Sequence, residues 1–368
     1  MGIKLGNLDI SSFKVGSGDC SIYLGTTLLY SGGTPPAPHD YSQDYLTFRA
    51  LEDGTFKFSG NSINYSLDSG STWTELASNT DTPTVNSGDT ILWKASLTGN
   101  SSNGIGTFSS SGRFEVEGNT MSLKYGDNFS GQTTFSDNYS LKILFNGCSG
   151  MTNAENTVLP ATNSTSNCYE GMFGGCTSLT TAPSVLPATS LAFGCYSTMF
   201  ASCSSLTKAP TISATSIGNY SCQQMFKNCS SLTTAPELLA TTLGNNCYTN
   251  MFNGCTSLTT APSVLPATTL KQYCYQQMFI NCTSLTTAPT LSATTLANRC
   301  YQYMFSGCTS LSSITCLATD ISASNCTKGW VQGVQTSSGT FTKASSMTSW
   351  TSGNDGIPNN WTVQDYSS

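Results

Sequence analysis

Cysteines are the residues of this chain best suited to chemistry, since sixteen of them stand beside a single histidine. Zinc ligands usually lie two to four residues apart, whereas the recurrent cysteine pairs, such as Cys168 and Cys176, are eight apart. The one histidine, His39, lies far upstream in a proline-rich stretch. We therefore predict no metal site, no cofactor and no Cys-His or Ser-His-Asp catalytic set. The thiols are expected to be free and buried, acting as small apolar side chains, while a disulfide between neighbouring repeats stays open as an alternative.

Two features containing acidic residues could indicate an enzyme. Glu52, Asp53, Glu115 and Glu117 could meet in space, but their local sequences resemble hairpins, so glycosidase chemistry is not favoured. The stretch from Ser66 to Trp73, SLDSGSTW, resembles the Asp box of sialidase propellers, yet it occurs once where a propeller would repeat it. We predict instead a β-hairpin whose Asp and Gly shape the turn, and a protein that is not an enzyme.

The charge content restricts the partners. Only 9% of the residues are charged, the formal net charge is −6, and the three arginines are Arg49, Arg113 and Arg299. This composition offers no basic patch for nucleic acid or an anionic membrane. No apolar run approaches the length of a membrane span, and the N-terminus lacks the apolar core of a secretory signal. We expect neither nucleic-acid binding nor membrane insertion.

One sequence unit recurs six times and must position whatever function the chain has. It reads Cys-Tyr-x-x-Met-Phe-x-x-Cys-x-Ser-Leu-Thr-Thr-Ala-Pro, followed by a Leu/Ile-x-Ala-Thr segment, with a spacing of 26 or 27 residues. The six Met-Phe pairs are Met172-Phe173, Met199-Phe200, Met225-Phe226, Met251-Phe252, Met278-Phe279 and Met304-Phe305. A fixed period of this length predicts a leucine-rich-repeat solenoid, in which each coil buries its apolar side against its neighbours.

Each unit divides into two expected elements. Cys168, Met172, Phe173 and Cys176 lie at offsets 0, 4, 5 and 8, which would place them on one face of a short helix directed to the core. The Ser-Leu-Thr-Thr-Ala-Pro segment is expected to form a short parallel strand. Degenerate copies at both ends, around Phe145 and around Trp330, are typical of caps.

The chain is predicted to be mostly β with short helices, in five parts. Residues 1–33 would form a separate N-terminal unit, with two strands meeting at Gly25-Thr26, and residues 34–43 a linker. Residues 44–141 are predicted as a β-sandwich-like domain, 142–330 as the solenoid with its N-terminal cap, and 331–368 as a C-terminal β cap. The expected strands of the sandwich-like domain are 45–51, 55–58, 63–67, 91–97, 113–116 and 121–125.

The repeat resembles the BspA-like leucine-rich repeats of surface proteins from gut Bacteroidales and of virion proteins from crass-like bacteriophages. The resemblance covers roughly residues 140–330. The N-terminal Ile22, Tyr23, Leu24 and Gly25, followed by Thr26, resemble a short element at the start of tailed-phage fibre and tail proteins. Together with the absence of a secretory signal, the resemblance implies a phage protein synthesised in the bacterial cytoplasm and located in the virion.

The functional hypothesis is a non-enzymatic virion fibre or spike subunit, attached by Ile22, Tyr23, Leu24 and Gly25 and adhering to a glycan or protein of the host envelope. Other virion proteins would be partners, and a homo-oligomer is expected. Two alternatives stay open: a purely structural virion decoration without a receptor, and a bacterial BspA-like surface interaction protein.

Positions that vary between repeats are the candidate ligand surface. One column precedes the first Cys and includes Gly194, and another lies two residues before Met. The proposed contact residues are Phe193, Tyr220, Asn246, Tyr273, Arg299, Gln223, Gln276 and Gln302. Neutral polar and aromatic side chains suit glycan or protein recognition by hydrogen bonding and stacking. The alternative is that these exposed columns vary because nothing constrains them, while the uniform threonine row, from Thr180 to Thr286, is expected to be structural.

Overall fold

A computed structural model of the chain describes residues 39–99, 102–334 and 337–367, together with the strand backbones between residues 3 and 31. The chain divides into two compact units, Met1–Asp40 and Tyr41–Ser368. The second unit contains both the predicted sandwich-like domain and the solenoid.

The first unit is antiparallel. Strands β1 (Ile3–Leu5) and β2 (Leu8–Ile10) form one pair, and β3 (Ser12–Val15), β4 (Cys20–Leu24) and β5 (Thr27–Ser31) form a three-stranded sheet in that order. The pairing of β4 with β5, in which Leu24 is opposite Thr27, confirms the two strands predicted around Gly25-Thr26. Gly25, the side chains of the other attachment residues and the linker residues up to 38 lie outside the described residues.

The second unit begins with a short 3-10 helix, Tyr41–Gln43, and continues into two packed sheets. The larger sheet has the order β13-β12-β6-β10-β8-β9, in which β13 is Met151–Asn153. Strand β14 (Thr157–Val158) also pairs with β12, and β7 pairs with β11. The strands before the solenoid are β6 (Leu46–Ala50), β7 (Phe56–Phe58), β8 (Ile63–Ser66), β9 (Thr74–Leu76), β10 (Thr90–Lys94), β11 (Phe108–Ser110) and β12 (Phe114–Asn119). Phe48 of the larger sheet contacts Phe108 of the smaller one with ring centroids 4.9 Å apart, so aromatic packing holds the two layers together.

One predicted strand is wrong. Residues 121–125 contain the only α-helix among the described residues, α1 (Ser122–Tyr125), followed by a 3-10 helix, Gly126–Asn128. The alternation of Met121, Leu123 and Tyr125 indicated a strand, but Met121, Ser122 and Leu123 are all fully buried, so the segment has no solvent-facing side. A turn of helix that is buried on all sides has no polar face, so its sequence lacks the periodicity that distinguishes a helix from a strand.

The stretch from Ser66 to Trp73 is a hairpin, as predicted. It joins the antiparallel strands β8 and β9. The Asp68 carboxylate accepts hydrogen bonds from the Thr72 hydroxyl at 2.6 Å and the Thr72 amide at 2.8 Å, and Ser66 Oγ accepts one from the Gly70 amide at 2.8 Å. Ser69 and Gly70 both have positive φ, at 58° and 88°, which this turn requires. Asp68 therefore organises a loop.

We expect the Asp68 turn to be weakened by acid. Hydrogen bonds from Thr72, and then from Ser66, lower the pKa of Asp68 to about 2. Because this value lies below that of the unfolded chain, the stabilisation is complete above about pH 4 and is lost as the pH falls through about 2. Asp68→Asn should lower the melting temperature near neutral pH, with a difference from wild type that shrinks in acid. Thermal melts followed by circular dichroism would show this, and a difference independent of pH would contradict it.

The solenoid has about seven stacked coils, with parallel pairing between neighbours. Its strands are β13 (Met151–Asn153), β14 (Thr157–Val158), β15 (Val185–Leu186), β16 (Ser190–Leu191), β17 (Thr211–Ile212), β18 (Ser216–Ile217), β19 (Val264–Leu265), β20 (Thr290–Leu291), β21 (Ser313–Cys316), β22 (Thr340–Lys343) and β23 (Thr362–Asp365). The predicted Ser-Leu-Thr-Thr-Ala-Pro strand is reduced to isolated parallel bridges, such as Thr234 with Thr260, and the longer pairings follow it.

The Cys-to-Cys segment of each coil is not helical, which corrects the sequence prediction. Within it the backbone amides alternate between two kinds of acceptor. In the second coil, the amides of Tyr196, Thr198, Phe200 and Ser202 donate to carbonyls of the next coil, whereas those of Ser197, Met199, Ala201 and Cys203 donate to the carbonyl three residues earlier. The segment is thus a series of tight turns joined from coil to coil by hydrogen bonds, and we call it the turn ladder.

Apolar side chains of the turn ladder stack in files inside the solenoid. The Phe rings from Phe173 to Phe305 are fully buried, with neighbouring centroids 5.2–5.7 Å apart and interplanar angles of 10° or less. The predicted assignment of the Met-Phe columns to the core is confirmed, since every one of the twelve residues has 0% exposure.

Both ends of the stack are closed. At the N-terminal end β13 and β14 pair in parallel with β12 of the larger sheet, so the first coil continues the sandwich-like domain. Phe145 stacks beneath Phe173 at 5.4 Å, as expected for a cap copy. At the other end Trp330 stacks on Trp350 at 5.4 Å, and the expected C-terminal strands are present as β22 and β23.

Candidate functional site

At every fourth residue of the turn ladder the backbone φ angle lies in the left-handed region. The affected columns precede the first Cys, the Met and the second Cys of each unit, with φ between 53° and 76°. The first of these columns contains Asn167, Gly194, Tyr220, Asn246, Tyr273 and Arg299. Gly and Asn adopt this conformation at little cost, whereas larger side chains are strained in it. In this column, whose residues vary between repeats, the backbone conformation therefore restricts which residues fit without strain.

The turn ladder could have been recognised from Gly and Asn at intervals of four. Asn167, Gly171 and Gly175 show the interval in the first repeat, and Asn246, Asn250 and Gly254 show it in the fourth. The helix prediction used the apolar offsets 0, 4, 5 and 8, which are the same for a helix and for successive four-residue turns. Left-handed residues every fourth position separate the two, because an α-helix does not contain them.

We expect Thr198→Asn to stabilise the protein. Thr198 is a β-branched residue at φ 53°, in a column where other coils have Gly171 and Asn250. A non-glycine residue held in this region costs about 1 kcal/mol or more, and Asn relieves part of that strain. Urea denaturation should show an increase of about 1 kcal/mol in the free energy of unfolding. No change, or a loss, would contradict the assigned backbone conformation.

The exposed side of the turn ladder, which we call the turn face, brings the candidate residues into register. Phe193 and Tyr220 lie on adjacent coils, with exposures of 49% and 36% and ring centroids 5.4 Å apart. The half-buried Asn246 follows in the next coil, in the same column as Tyr220. These are two exposed aromatic rings, side by side on a rigid backbone.

The second aromatic contact on the turn face joins Tyr273 and Arg299. Arg299 Nη1 donates to the Tyr273 hydroxyl at 2.6 Å, and the guanidinium carbon lies 5.4 Å from the ring centroid. Arg299 Nε is shielded from solvent and has no hydrogen-bond partner. A planar cation is thus held over an aromatic ring in a defined orientation.

Amide side chains occupy the neighbouring columns. Gln276 Nε2 donates to Gln302 Oε1 at 2.8 Å, and Asn250 Nδ2 donates to Gln277 Oε1 at 3.2 Å. Gln223 is half-buried in the same column as Gln276. Amides carry both donors and acceptors, and aromatic rings offer apolar faces, so the turn face can hydrogen-bond and stack with a neutral polar ligand.

The charge of the middle coils is opposite to that of the whole chain. Between residues 171 and 319 the sequence has four basic residues and one acidic residue, a formal charge of +3 within a chain of −6. The basic residues are Lys208, Lys227, Lys271 and Arg299, and the acidic one is Glu237. Lys208 pairs with Glu155 at 3.1 Å, so the unmatched positive charge belongs to the turn segments. The net charge of the whole chain conceals this local balance.

The threonine row is a hydrogen-bonded ladder, in agreement with its structural interpretation. The hydroxyls of Thr180, Thr207 and Thr259 donate to the carbonyl oxygens of Thr152, Thr180 and Thr233 at 2.9–3.1 Å. Thr233 and Thr286 are exposed in the same row. Hydroxyl groups that bond to the preceding coil stabilise the stack and leave less capacity for a ligand.

Most of the cysteines form two columns, and the fifteen described ones are all free and buried, as predicted. In the second column each thiol donates to the carbonyl of a Phe in the preceding coil, from Cys176 with Phe145 to Cys308 with Phe279, at 3.0–3.1 Å. Burial raises the pKa of Cys203, Cys255 and Cys308 to about 12. These thiols are poor nucleophiles, because the thiolate is the reactive form.

The four carboxylates that could have been catalytic each have a separate contact, and Glu115 accepts a hydrogen bond from Asn153 Nδ2 at 3.5 Å. Glu52 lies 3.8 Å from Arg113, Glu117 lies 3.4 Å from Arg49, and Asp53 accepts a hydrogen bond from the Ser87 amide at 2.7 Å. Within the described part of the chain, no group of three His, Cys, Asp or Glu side chains is arranged to hold a metal ion. None of the helices in that same part has the length and apolarity needed to cross a bilayer.

Comparisons with known proteins add little to this geometry. No family model and no curated protein matches the chain. Among solved structures, a leucine-rich repeat protein from Bacteroides ovatus is similar over 69% of this chain and 86% of its own, with 14% identity and a TM-score of 0.22. A TM-score this low supports no conclusion, so the description of the fold rests on the coils themselves: a mostly β chain with a parallel β-solenoid and, among the described residues, one short α-helix.

Proposed function

We propose that this protein is a non-enzymatic recognition protein whose turn face binds a ligand on a cell surface. The observation that carries the proposal is the occupation of left-handed positions by bulky side chains. Tyr220, Tyr273 and Arg299 have φ of 59°, 58° and 54°, where the same column elsewhere has Asn or Gly. Strain of this kind is retained where it serves a function, and all three side chains reach one exposed face.

The side chains of the turn face favour a saccharide as the ligand. Aromatic rings stack on sugar faces, and Asn and Gln exchange hydrogen bonds with hydroxyl groups. The backbone under these side chains is fixed by hydrogen bonds from coil to coil, so the surface is organised before binding and little conformational entropy is lost. A protein of the host envelope would contact the same side chains and is the second ligand class to test.

We place this activity in a virion fibre or spike, with the N-terminal unit as the attachment to the particle. The support is the resemblance of the repeats and of Ile22, Tyr23, Leu24 and Gly25 to phage proteins, together with the separation of Met1–Asp40 as its own compact unit. A bacterial surface interaction protein is the second candidate, since the same solenoid would serve it. Immunogold labelling of purified virions distinguishes the two, because only the first predicts label on the particle.

Binding of the full chain to intact gut Bacteroidales cells tests the recognition role. The variant Tyr220→Ser/Tyr273→Ser/Arg299→Ser should bind about tenfold or more weakly, because aromatic and Arg contacts dominate most interfaces. Thr234→Ser/Thr260→Ser/Thr287→Ser, on the exposed threonine side, is the matched control and should bind like wild type. Equal binding by all three proteins would contradict the turn face as the site. Failure of wild type to bind would favour a purely structural decoration.

A further inference from the structure

The positive charges of the turn face have no carboxylate partners. Among the described residues, Lys227, Lys271 and Arg299 have no acidic group within 4.0 Å, whereas Lys142, in the N-terminal cap copy, lies 2.8 Å from Glu170. Basic residues elsewhere in the chain are mostly paired in this way, as Lys94 is with Asp127 at 2.7 Å. The middle coils therefore present unmatched positive charge on the same face as the exposed aromatic rings.

Arg299 is the member of this group that is held in place. Its single side-chain hydrogen bond, to the Tyr273 hydroxyl, uses one of the five N–H donors of the guanidinium. Nε is shielded from solvent, so a ligand carboxylate would be bound by the outer Nη1 and Nη2 donors, whose planar arrangement allows two parallel hydrogen bonds. Gln276 and Gln302 lie three residues further along the same two coils and can bond to hydroxyl groups beside the carboxylate.

We propose that Tyr273 and Arg299 bind the carboxylate of an acidic saccharide, such as a uronic or sialic acid unit. This inference rests on the proposed function and names the ligand class for that site. Tyr273 stacks on the sugar ring, Arg299 bonds to the carboxylate, and Gln276 and Gln302 bond to hydroxyls. Tyr220 lies two coils away, about 10 Å along the solenoid, so its contact with Phe193 offers a second stacking position for a longer chain.

The chemistry of the turn face favours this ligand over other anions. Nucleic acid needs many phosphate contacts, and three separated cations supply few. An acidic peptide would use charge in the same way, but the exposed rings of Phe193 and Tyr220 and the half-buried ring of Tyr273, next to amides, fit flat sugar faces with hydroxyl edges. A carboxylated saccharide uses all of these groups at once.

Titration calorimetry with matched probes tests the proposal. The probes are an oligogalacturonide and a sialylated oligosaccharide, each compared with its carboxyl-reduced neutral form. At least one acidic probe should bind about tenfold more tightly than its reduced form, and added salt should weaken that preference. Arg299→Gln should remove the preference, while Lys208→Gln, a cation paired with Glu155 away from the turn face, should keep it.

The outcomes separate this inference from the proposed function. Equal binding of acidic and reduced probes, with cell binding still lost in the Tyr220→Ser/Tyr273→Ser/Arg299→Ser variant, would overturn the carboxylate and retain the turn face. Binding of neither probe by a protein that still binds cells would also overturn it, in favour of a protein ligand. Binding to neither probes nor cells would overturn both proposals.

A second, independent observation concerns the first cysteine column. Cys168 and Cys195 lie on adjacent coils with their Sγ atoms 2.9 Å apart, and both are fully buried. Elsewhere in the column the thiols are directed differently, as Cys247 is directed to the Cys274 carbonyl at 3.8 Å. Ser221 replaces the next cysteine and donates to the carbonyls of Ala192 and Gly218, so this thiol pair is isolated from the rest of the column.

The geometry points to Cys168 and Cys195 as a disulfide that closes during folding in an oxidising medium. The two thiols and one molecule of a small disulfide, such as oxidised glutathione, give one Cys168–Cys195 bond and two molecules of reduced glutathione. Closure shortens the sulfur separation from 2.9 Å to about 2.0 Å. Burial raises the pKa of Cys195 well above its usual range, so exchange is slow once the coils have stacked.

Refolding of the full chain from urea in a glutathione redox buffer, followed by an acid quench, alkylation in denaturant and peptide mapping, tests this pair. Wild type should lose two of its sixteen alkylatable thiols and give one cystine peptide joining Cys168 to Cys195. Cys195→Ser should lose none, whereas Cys274→Ser should still form the bond. Sixteen alkylated thiols in wild type, or cystines spread over several pairs, would overturn the assignment.

Discussion

Phe226→Ala is expected to lower the free energy of unfolding by about 3–5 kcal/mol, because it removes a fully buried ring and leaves a cavity. The ring of Phe226 lies between those of Phe200 and Phe252, at 5.5 and 5.6 Å, with interplanar angles of 3° on both sides. In a solenoid each coil contacts only its neighbours, so the loss breaks the stack at its middle. Urea denaturation followed by circular dichroism measures the effect.

The matched control for this change is Phe193→Ala. Phe193 is in the same solenoid but is 49% exposed on the turn face, and its substitution should change the free energy of unfolding by no more than about 1 kcal/mol. Similar losses in the two variants would mean that the Phe file is not the core. The comparison therefore distinguishes side chains that stabilise the stack from those available to a ligand.

Asp137→Ala is expected to cost about 3–5 kcal/mol, because it leaves the ammonium of Lys124 buried without its partner. Asp137 lies 2.6 Å from Lys124 Nζ, with side-chain exposures of 11% and 3%. The same carboxylate accepts hydrogen bonds from the Gly99 amide and the Ser140 hydroxyl. Lys124 belongs to α1, and Asp137 lies in the segment between α1 and the first coil, so the pair fixes that connecting segment to α1.

Urea denaturation would measure this cost, with Asp365→Ala as the control. Asp365 also pairs with a lysine, Lys343 at 2.5 Å, but its side chain is 60% exposed, so its loss should cost about 1 kcal/mol or less. Burial opposes ionisation of Asp137, but hydrogen bonds from Lys124 and the Gly99 amide outweigh it and lower its pKa. The stabilisation is therefore present above the unfolded pKa and is lost as the pH falls through the lower folded value. Equal costs for the two variants near neutral pH would contradict the buried pair.

The periodicity of the sequence predicted the parts of the fold that repeat. The Met-Phe columns, the cap around Phe145 and the buried free thiols follow from a unit that cannot bury its apolar side alone. The hairpin at Asp68 was also predictable, because Asp and Gly at fixed offsets determine a turn. These features depend on residue type and spacing within a short segment.

The backbone between the two Cys of each unit could not be deduced from the apolar pattern. Offsets of 0, 4, 5 and 8 are consistent with both a helix and four-residue turns. The Gly and Asn residues at every fourth position distinguish the two, and so do the hydrogen bonds from Thr198 and its neighbours to the next coil. The strand predicted at residues 121–125 was wrong for a related reason. A segment that is buried on all sides lacks the alternation of polar and apolar residues from which its structure could be predicted.

The candidate surface was predictable as a set of columns but not as a set of contacts. Variation between repeats identified Phe193, Tyr220, Tyr273 and Arg299. The contacts between neighbouring coils, and the strain at the left-handed positions, depend on how the coils are aligned. Alignment is a property of the whole stack, which a single repeat does not reveal.

The central claim is that stacked turn ladders carry the exposed columns on a rigid, repeating backbone. A crystal structure of the chain, at a resolution that defines each carbonyl group, tests it most directly. The prediction is a single file of Phe rings from Phe173 to Phe305 at separations of 5.2–5.7 Å, with left-handed φ at every fourth residue and Tyr220, Tyr273 and Arg299 on one outer face. Continuous helices between the two Cys of each unit, or Phe rings directed to solvent, would contradict the claim.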